Sequence, residues 1–286
     1  MVARLAATGI EHIGVMDIDI VEDLNLDRMI GATREDARAG RRKTEVAARI
    51  ARQAATAANF TVAVHDVSIT TPQGLAAALD YDIIFSCVDR PWPRGVLNVV
   101  AYADLIPVID GGIALDTLPS GEMRGGTWRA HTLVPGRPCL VCNGQLRVNE
   151  LSLDRAGLLD DPEYIRQSGI NPGTGSPNVA ALAASVSAGL LAQFVSLVAA
   201  PGGMGVPAPL RYMLAVHQLE HLSVKSGAFC TYENATAHGD GRQALADDER
   251  ARGVASRSQR RSLWSWLTRR GRANTDSPRR RLVPRR

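Results

Sequence analysis

Six side chains in the first 90 residues could together handle a nucleotide and a metal ion: Asp17, Asp19, Asn25, Arg28, Lys43 and Asp89. An acidic residue at the end of a strand is a common holder of ribose hydroxyls, and Asp17 ends the apolar run that starts at His12. Asp89 follows the nearly continuous apolar run 82–88. Such a carboxylate can hold Mg2+, which takes one or two carboxylates plus phosphate oxygens. Asn25 and Arg28 lie three apart, on one face of a helical turn. Arg28 and Lys43 could neutralise phosphate charge as it develops. Each residue alone also has a plainer reading, as a solvated loop acid or a solvated surface charge. Lys43 carries extra information, because the chain has 31 Arg and only two Lys, Lys43 and Lys225. It follows Arg41 and Arg42 directly, so a generic positive charge was already there, and a compact ammonium does not replace a planar guanidinium.

A second group of residues could hold a metal. Cys139-Leu-Val-Cys142 sits among prolines and glycines, which lets two thiolates face one tetrahedral ion such as zinc. Cys230 is a third thiol, and Glu233 stands where a second CxxC would place its last cysteine. Three readings follow: three thiolates completed by a histidine or glutamate, with His221 and His238 as further candidates, or a knuckle without metal. A redox pair is disfavoured, because the CxxC does not open a helix after a strand. Cys87 lies in an apolar run and reads as a core thiol.

The elements that must position these residues alternate. Residues 3–9 read as the end of a helix and 12–16 as a strand. Lys43 to about Ala57 has helical spacing, and 61–67 alternates as a strand. Residues 72–79 suit a short helix with proline in its first turn. Residues 82–88 suit a strand buried on both faces, 96–104 a helix, and 106–109 a short strand ending at Asp110-Gly111-Gly112. Strands alternating with helices imply an α/β fold, a parallel sheet with helices on both faces. Residues 127–134 begin an antiparallel extension, 143–177 read as a long loop, and 210–216 as a further strand. The apolar stretch 178–200 is long enough to span a bilayer. It contains Ser185, Ser187, Gln193 and Ser196 and lacks flanking aromatic or basic anchors, so it reads as a buried core helix.

Composition narrows the classes. Apolar residues make up 45% of the 286, ample for a core. The formal charge is +4, but residues 250–286 hold thirteen Arg and one acid, a net +12, which leaves −8 for residues 1–249. The basic pI of 9.1 therefore does not indicate a nucleic-acid-binding domain. A block of like charge reads as a disordered tail. Its Leu263-Trp-Ser-Trp-Leu267 patch allows weak contact with an anionic surface. Four cysteines are too few for a disulfide framework, and no signal-peptide pattern opens the chain, so a cytoplasmic protein is expected.

Several stretches in order carry a resemblance. They are Gly14-Val-Met-Asp-Ile-Asp-Ile-Val-Glu-Asp-Leu-Asn-Leu-Asp-Arg28, Arg42-Lys43-Thr-Glu-Val-Ala-Ala48, and Asp82-Ile-Ile-Phe-Ser-Cys-Val-Asp89. Ile106-Pro-Val-Ile-Asp-Gly-Gly112 and Pro138-Cys-Leu-Val-Cys142 complete the set. Together they resemble the ThiF/MoeB/HesA-type adenylyltransferases, relatives of ubiquitin-activating enzymes. The resemblance implies a Rossmann-like, mostly parallel sheet with helices on both faces and an antiparallel extension. It would make residues 1–240 an adenylation domain and 241–286 a tail. It implies ATP and Mg2+, with the ribose on Asp17 beside Asp19. The triphosphate would lie on Asn25, Arg28 and Lys43, and the metal on Asp89. A structural zinc would sit on Cys139, Cys142 and Cys230. The expected reaction joins the C-terminal glycine carboxylate of a ubiquitin-like or sulfur-carrier protein to AMP. A homodimer is expected, and specific nucleic-acid binding is not.

The chain departs from the family pattern in four ways. The glycine-rich loop expected just before residue 1 is missing, so the expectation is of an N-terminally truncated domain. Arg90 replaces the usual polar residue after Asp89. No cysteine occurs between 143 and 229, where relatives that form a thioester or persulfide place one. The second CxxC is reduced to Cys230. An inactive binding module is the alternative function.

Overall fold

The computed structural model describes residues 1–118, 120–161 and 180–241. The Arg-rich tail and residues 162–179, which include the end of the stretch read as a long loop, lie outside the described residues.

The chain opens with helix α1 (Val2–Ala6) and strand β1 (His12–Met16), followed by a turn and helices α2 (Arg34–Ala39) and α3 (Lys43–Ala54). Strand β2 (Thr61–His65) pairs parallel with β1, His12 opposite Thr61 and Met16 opposite His65. Helix α4 (Pro72–Ala78), strand β3 (Ile84–Ser86) and helix α5 (Pro91–Ala103) come next. Strands β4 (Val108–Thr117) and β5 (Met123–Leu133) follow, then helices α6 (Val148–Arg155) and α7 (Ala180–Ala199). Strands β6 (Leu210–Met213) and β7 (Gln218–His221) and the one-turn helix α8 (Thr231–Asn234) complete the described fold. The second sheet runs β3-β4-β5-β6-β7. In it β3 is parallel to β4, and β5, β6 and β7 extend it antiparallel. Among the described residues no ladder joins β1 to β3. The two sheets are connected through apolar packing, with Phe85 and Leu191 touching the cluster of Leu5, Ala6, Ile13 and Ala51.

The period of two along β4 and β5 puts helices on both faces. Val108 and Leu133 pack with Val96 and Val100 of α5. Ile109, Trp128 and Ala130 pack with Leu182, Val186 and Leu190 of α7. Each fully buried aliphatic side chain of this kind contributes about 1.5–3 kcal/mol.

Six expectations need correction. Strand β4 does not stop at Asp110 but runs on through the glycine pair. The glycines serve packing there: a Cβ at Gly111 would lie 2.7 Å from Leu190 Cδ2, and one at Gly112 2.7 Å from the Arg129 guanidinium. Strand β3 spans only three residues, and Cys87 beyond it is exposed rather than a core thiol. Helix α5 starts at Pro91, earlier than 96, because proline is well suited to the first helical turn. The span read as a loop contains α6. Helix α7 buries one side only, leaving Val195 and Val198 exposed at 51% and 61%. It is long and apolar enough to cross a membrane, the one such helix among the described residues. Here it packs against the sheet. Its buried Gln193 accepts a hydrogen bond from Thr132 Oγ1 at 2.8 Å and donates to the Ala208 carbonyl at 2.9 Å.

Candidate functional site

Asp17, Asp19 and Lys43 come together where β1 ends and α3 begins. The Asp17 N–H donates to the His65 carbonyl at 3.3 Å, which extends the β1–β2 ladder by one residue. The Asp19 N–H then donates to Asp17 Oδ1 at 2.9 Å. Lys43, first residue of α3, donates its N–H to the Asp19 carbonyl at 3.0 Å and its Nζ to Asp19 Oδ2 at 2.7 Å. Arg42 Nη1 donates to the Ile18 carbonyl at 2.8 Å and so pins the segment between the two acids. Burial raises the Asp17 pKa, only partly opposed by the Asp19 amide and the Lys43 charge. Two carboxylates and one ammonium at a strand's carboxyl end can accept hydroxyl hydrogen bonds and meet an anion.

Asn25 and Arg28 are not joined to this group. Asn25 Oδ1 accepts from the Glu22 N–H at 3.0 Å, capping the turn Asp23–Asn25. Arg28 Nη1 pairs with Asp27 at 3.3 Å on the surface. The backbone carries the turn onward, Arg28 N–H to the Asn25 carbonyl at 3.2 Å, which agrees with the one-face reading.

Asp89 follows β3 in irregular backbone and is exposed. The chain on either side of it is fixed by buried charges. Before it, Ser86 Oγ donates to Asp110 Oδ1 at 2.8 Å. Asp110 also accepts from Arg94 Nε at 3.1 Å and Nη2 at 2.8 Å. After it, Arg90 donates to Asp154 Oδ1 from Nε at 3.1 Å and from Nη2 at 2.7 Å, and its Nη1 lies 2.9 Å from Asp160. The Trp92 N–H donates to Asp154 Oδ2 at 2.8 Å. The exposed carboxylate is thus held between two anchored points. Arg129 Nε is 3.7 Å from Asp110, and burial lowers its pKa, with the Arg94 charge adding to the effect. Buried His131, opposite Asp110 across the ladder, is pushed down to about 4 by burial and stays neutral at neutral pH. Sequence reasoning missed Ser86, Arg94, Asp110 and Asp154 as supports. The one available signal was an acid directly after a strand pattern at Asp110, since partners 16 and 62 residues apart leave no local trace.

The three cysteines assemble as the spacing suggested. Cys139, Cys142 and Cys230 place their sulfurs within 4.8 Å of one another, and the Cys139 and Cys230 sulfurs are 3.6 Å apart. That separation is too long for a disulfide. It fits the edge of a tetrahedron with 2.3 Å metal–sulfur bonds, about 3.8 Å. Burial pushes the Cys139 thiol up to about 12. Burial also works against the Cys142 thiolate, but the Gly227 N–H, at 3.3 Å from its sulfur, and the two neighbouring cysteines outweigh it and lower its pKa. Tyr102, whose hydroxyl donates to the Arg137 carbonyl at 2.7 Å, has its pKa raised by burial and by the nearby thiols and Glu233. The donor set therefore fits a thiophilic cation such as zinc.

Comparison with known proteins agrees with this architecture. The chain is 28% identical over 107 residues to the adenylyltransferase and sulfurtransferase UBA4 of Meyerozyma guilliermondii, an overlap covering 37% of this chain and 24% of UBA4. It thus spans about a quarter of that relative. It superimposes on E. coli MccB with MccA-N7isoASN at a TM-score of 0.61 and 18% identity, covering 81% of this chain and 62% of MccB. The E. coli MccB structure with ATP gives 0.58 at 18% identity, covering 80% and 61%. At such identity these structures show the shared fold. The ThiF family model matches residues 1–221, and the chain belongs to the ThiF family.

Proposed function

We propose that this chain is an ATP-dependent adenylyltransferase that activates a carboxylate, the C-terminal glycine of a ubiquitin-like or sulfur-carrier protein. The observation that carries the reading is the bonded group Asp17–Asp19–Lys43 at the end of β1, within a ThiF-family chain. Asp17 would hold the ribose with Asp19 beside it, and Asn25, Arg28 and Lys43 would face the triphosphate. Asp89 would hold Mg2+, which supplies charge neutralisation at the phosphates. A carboxylate oxygen attacks the α-phosphorus, the bond to the bridging oxygen of the β-phosphate breaks, and pyrophosphate leaves with that electron pair. No general base is needed, because the carboxylate is already ionised. The residues contribute position and electrostatic stabilisation.

Cys139, Cys142 and Cys230 would hold a structural zinc, supported by the sulfur spacing. We further propose a cytoplasmic homodimer, for which the exposed Val195 and Val198 of α7 offer an apolar surface.

A second reading is a binding module without turnover. It is favoured by the engagement of Lys43 with Asp19 and of Asn25 with its own turn. Against it, the Asp19 carboxylate is 59% exposed, and an exposed pair is worth about 0.2–1 kcal/mol. A polyphosphate could therefore take over the ammonium at little cost. The experiment is carrier-dependent exchange of pyrophosphate into ATP, with a Gly-Gly carrier and the same carrier bearing a C-terminal amide. The adenylyltransferase predicts exchange with the free carboxylate alone. Nucleotide binding without exchange supports the binding module.

A further inference from the structure

We propose that Glu233 is the fourth ligand of the Cys139–Cys142–Cys230 site, making it a three-thiolate, one-carboxylate centre; this rests on the zinc reading given above. Zinc in a structural site is four-coordinate, and the cluster offers three sulfurs.

The argument is a repeated geometry. Cys142 follows Cys139 by three positions, and its N–H donates to the Cys139 sulfur at 3.3 Å. Glu233 follows Cys230 by three positions, and its N–H donates to the Cys230 sulfur at 3.5 Å. The two segments are therefore built alike in their backbone, and Glu233 stands at the position that Cys142 holds in the first; its carboxylate lies outside the 4.8 Å sulfur cluster, so binding an ion requires it to turn toward the thiols.

The carboxylate itself supplies a separate observation. Glu233 Oε1 accepts from the Gly136 N–H at 2.9 Å. Its Oε2 is buried and has no hydrogen-bond partner. An unpaired carboxylate oxygen away from water is unfavourable, and such a group calls for a missing partner such as an ion. Gly136 lies just before Cys139, so Glu233 already ties the second segment to the first. Its bond to Gly136 would orient the carboxylate as outer partners of metal ligands do. His221 and His238 are exposed, which removes the burial expected of a closed structural site. Three thiolates and one carboxylate carry the same total charge as four thiolates, so the exchange of Cys for Glu leaves the charge of the centre unchanged.

The test uses the full chain purified without chelator. Zinc content is measured by elemental analysis, zinc affinity by competition with a chromophoric chelator, and thiolate number from the charge-transfer absorption of the Co2+-substituted protein. The expected result is about one zinc per chain and, for Glu233→Ala, affinity lower by about 10-fold or more. Glu233→Cys should retain zinc and raise the thiolate–cobalt band by about a third, from three thiolates to four. His221→Ala and His238→Ala should match the unmodified chain. Absence of zinc from the unmodified chain would overturn the zinc reading and this inference with it. Zinc present with equal affinity in Glu233→Ala would overturn the role of Glu233 alone. If Glu233→Ala fails to fold, Glu233→Cys decides: an unchanged cobalt band also overturns the assignment.

Discussion

Replacing Asp110 by Asn should destabilise the protein by about 3 kcal/mol. Asp110 is fully buried and accepts two hydrogen bonds from Arg94 and one from Ser86, with the Arg129 guanidinium behind. Asparagine keeps the shape and one acceptor but removes the charge, leaving the 94% buried Arg94 without its counter-ion. Breaking a buried pair from one side typically costs about 3–5 kcal/mol, and the retained acceptor argues for the lower end. With a urea dependence of about 3 kcal/mol per molar, the midpoint should fall by about 1 M. Fluorescence of Trp92 and Trp128, both buried near this node, reports the transition. Adding Arg94→Met removes the uncompensated charge and should recover at least about 1 kcal/mol of the loss. A midpoint within about 0.2 M of the unmodified protein would show that the Asp110–Arg94 pair does not stabilise the fold. So would a double variant whose losses simply add.

Other perturbations separate structure from chemistry. Lys43→Met should leave the urea midpoint nearly unchanged, since its exposed pair with Asp19 is worth under about 1 kcal/mol, yet abolish pyrophosphate exchange. Gly111→Ala places a Cβ 2.7 Å from Leu190 and should cost about 1–3 kcal/mol in urea unfolding. Combined with Leu190→Ala, its cost should be less than additive. Asp36 is held well below the usual carboxylate range, chiefly by the Arg49 hydrogen bonds working against burial, with Thr33 adding to them. Its stabilisation is present above the unfolded pKa of about 3.9 and is lost as pH falls toward the lower folded value. Asp36→Asn should therefore lower stability at pH 7 and flatten the acid limb of the midpoint-versus-pH curve; an unchanged limb would contradict the assignment. Cys139→Ser should lower both zinc content and melting temperature, because structural zinc binding contributes directly to folding.

What could be read from the residues was what local pattern encodes. The strand from His12 to Met16 and the helix opening at Lys43 were legible because periodicity and burial act within one element. The spacing of Cys139 and Cys142 was legible too, since a knuckle is a local structure. Helix α6 was not. Its sequence, Val148-Asn-Glu-Leu-Ser-Leu-Asp-Arg155, is polar and only weakly amphipathic, and its place depends on Asp154 reaching Arg90 and the Trp92 N–H. The glycine pair in β4 misled because glycine usually interrupts a strand. Here Leu190 and Arg129 pack against the bare backbone, a reason that exists only in the folded chain. The supports of Asp89 were invisible for the same cause, because Ser86 and Asp110 meet only once β3 and β4 pair. Cys87 looked buried by its apolar neighbours, but the strand ends one residue earlier.

The most direct test of the central claim is exchange of labelled pyrophosphate into ATP by the full chain with a carrier ending in Gly-Gly, compared between the unmodified protein and Asp89→Ala. Carrier-dependent exchange is expected in the first and its loss in the second, with both proteins equally folded because Asp89 is exposed. Exchange that persists unchanged in Asp89→Ala would contradict the role given to that carboxylate, and its absence from the unmodified chain would contradict the activity itself.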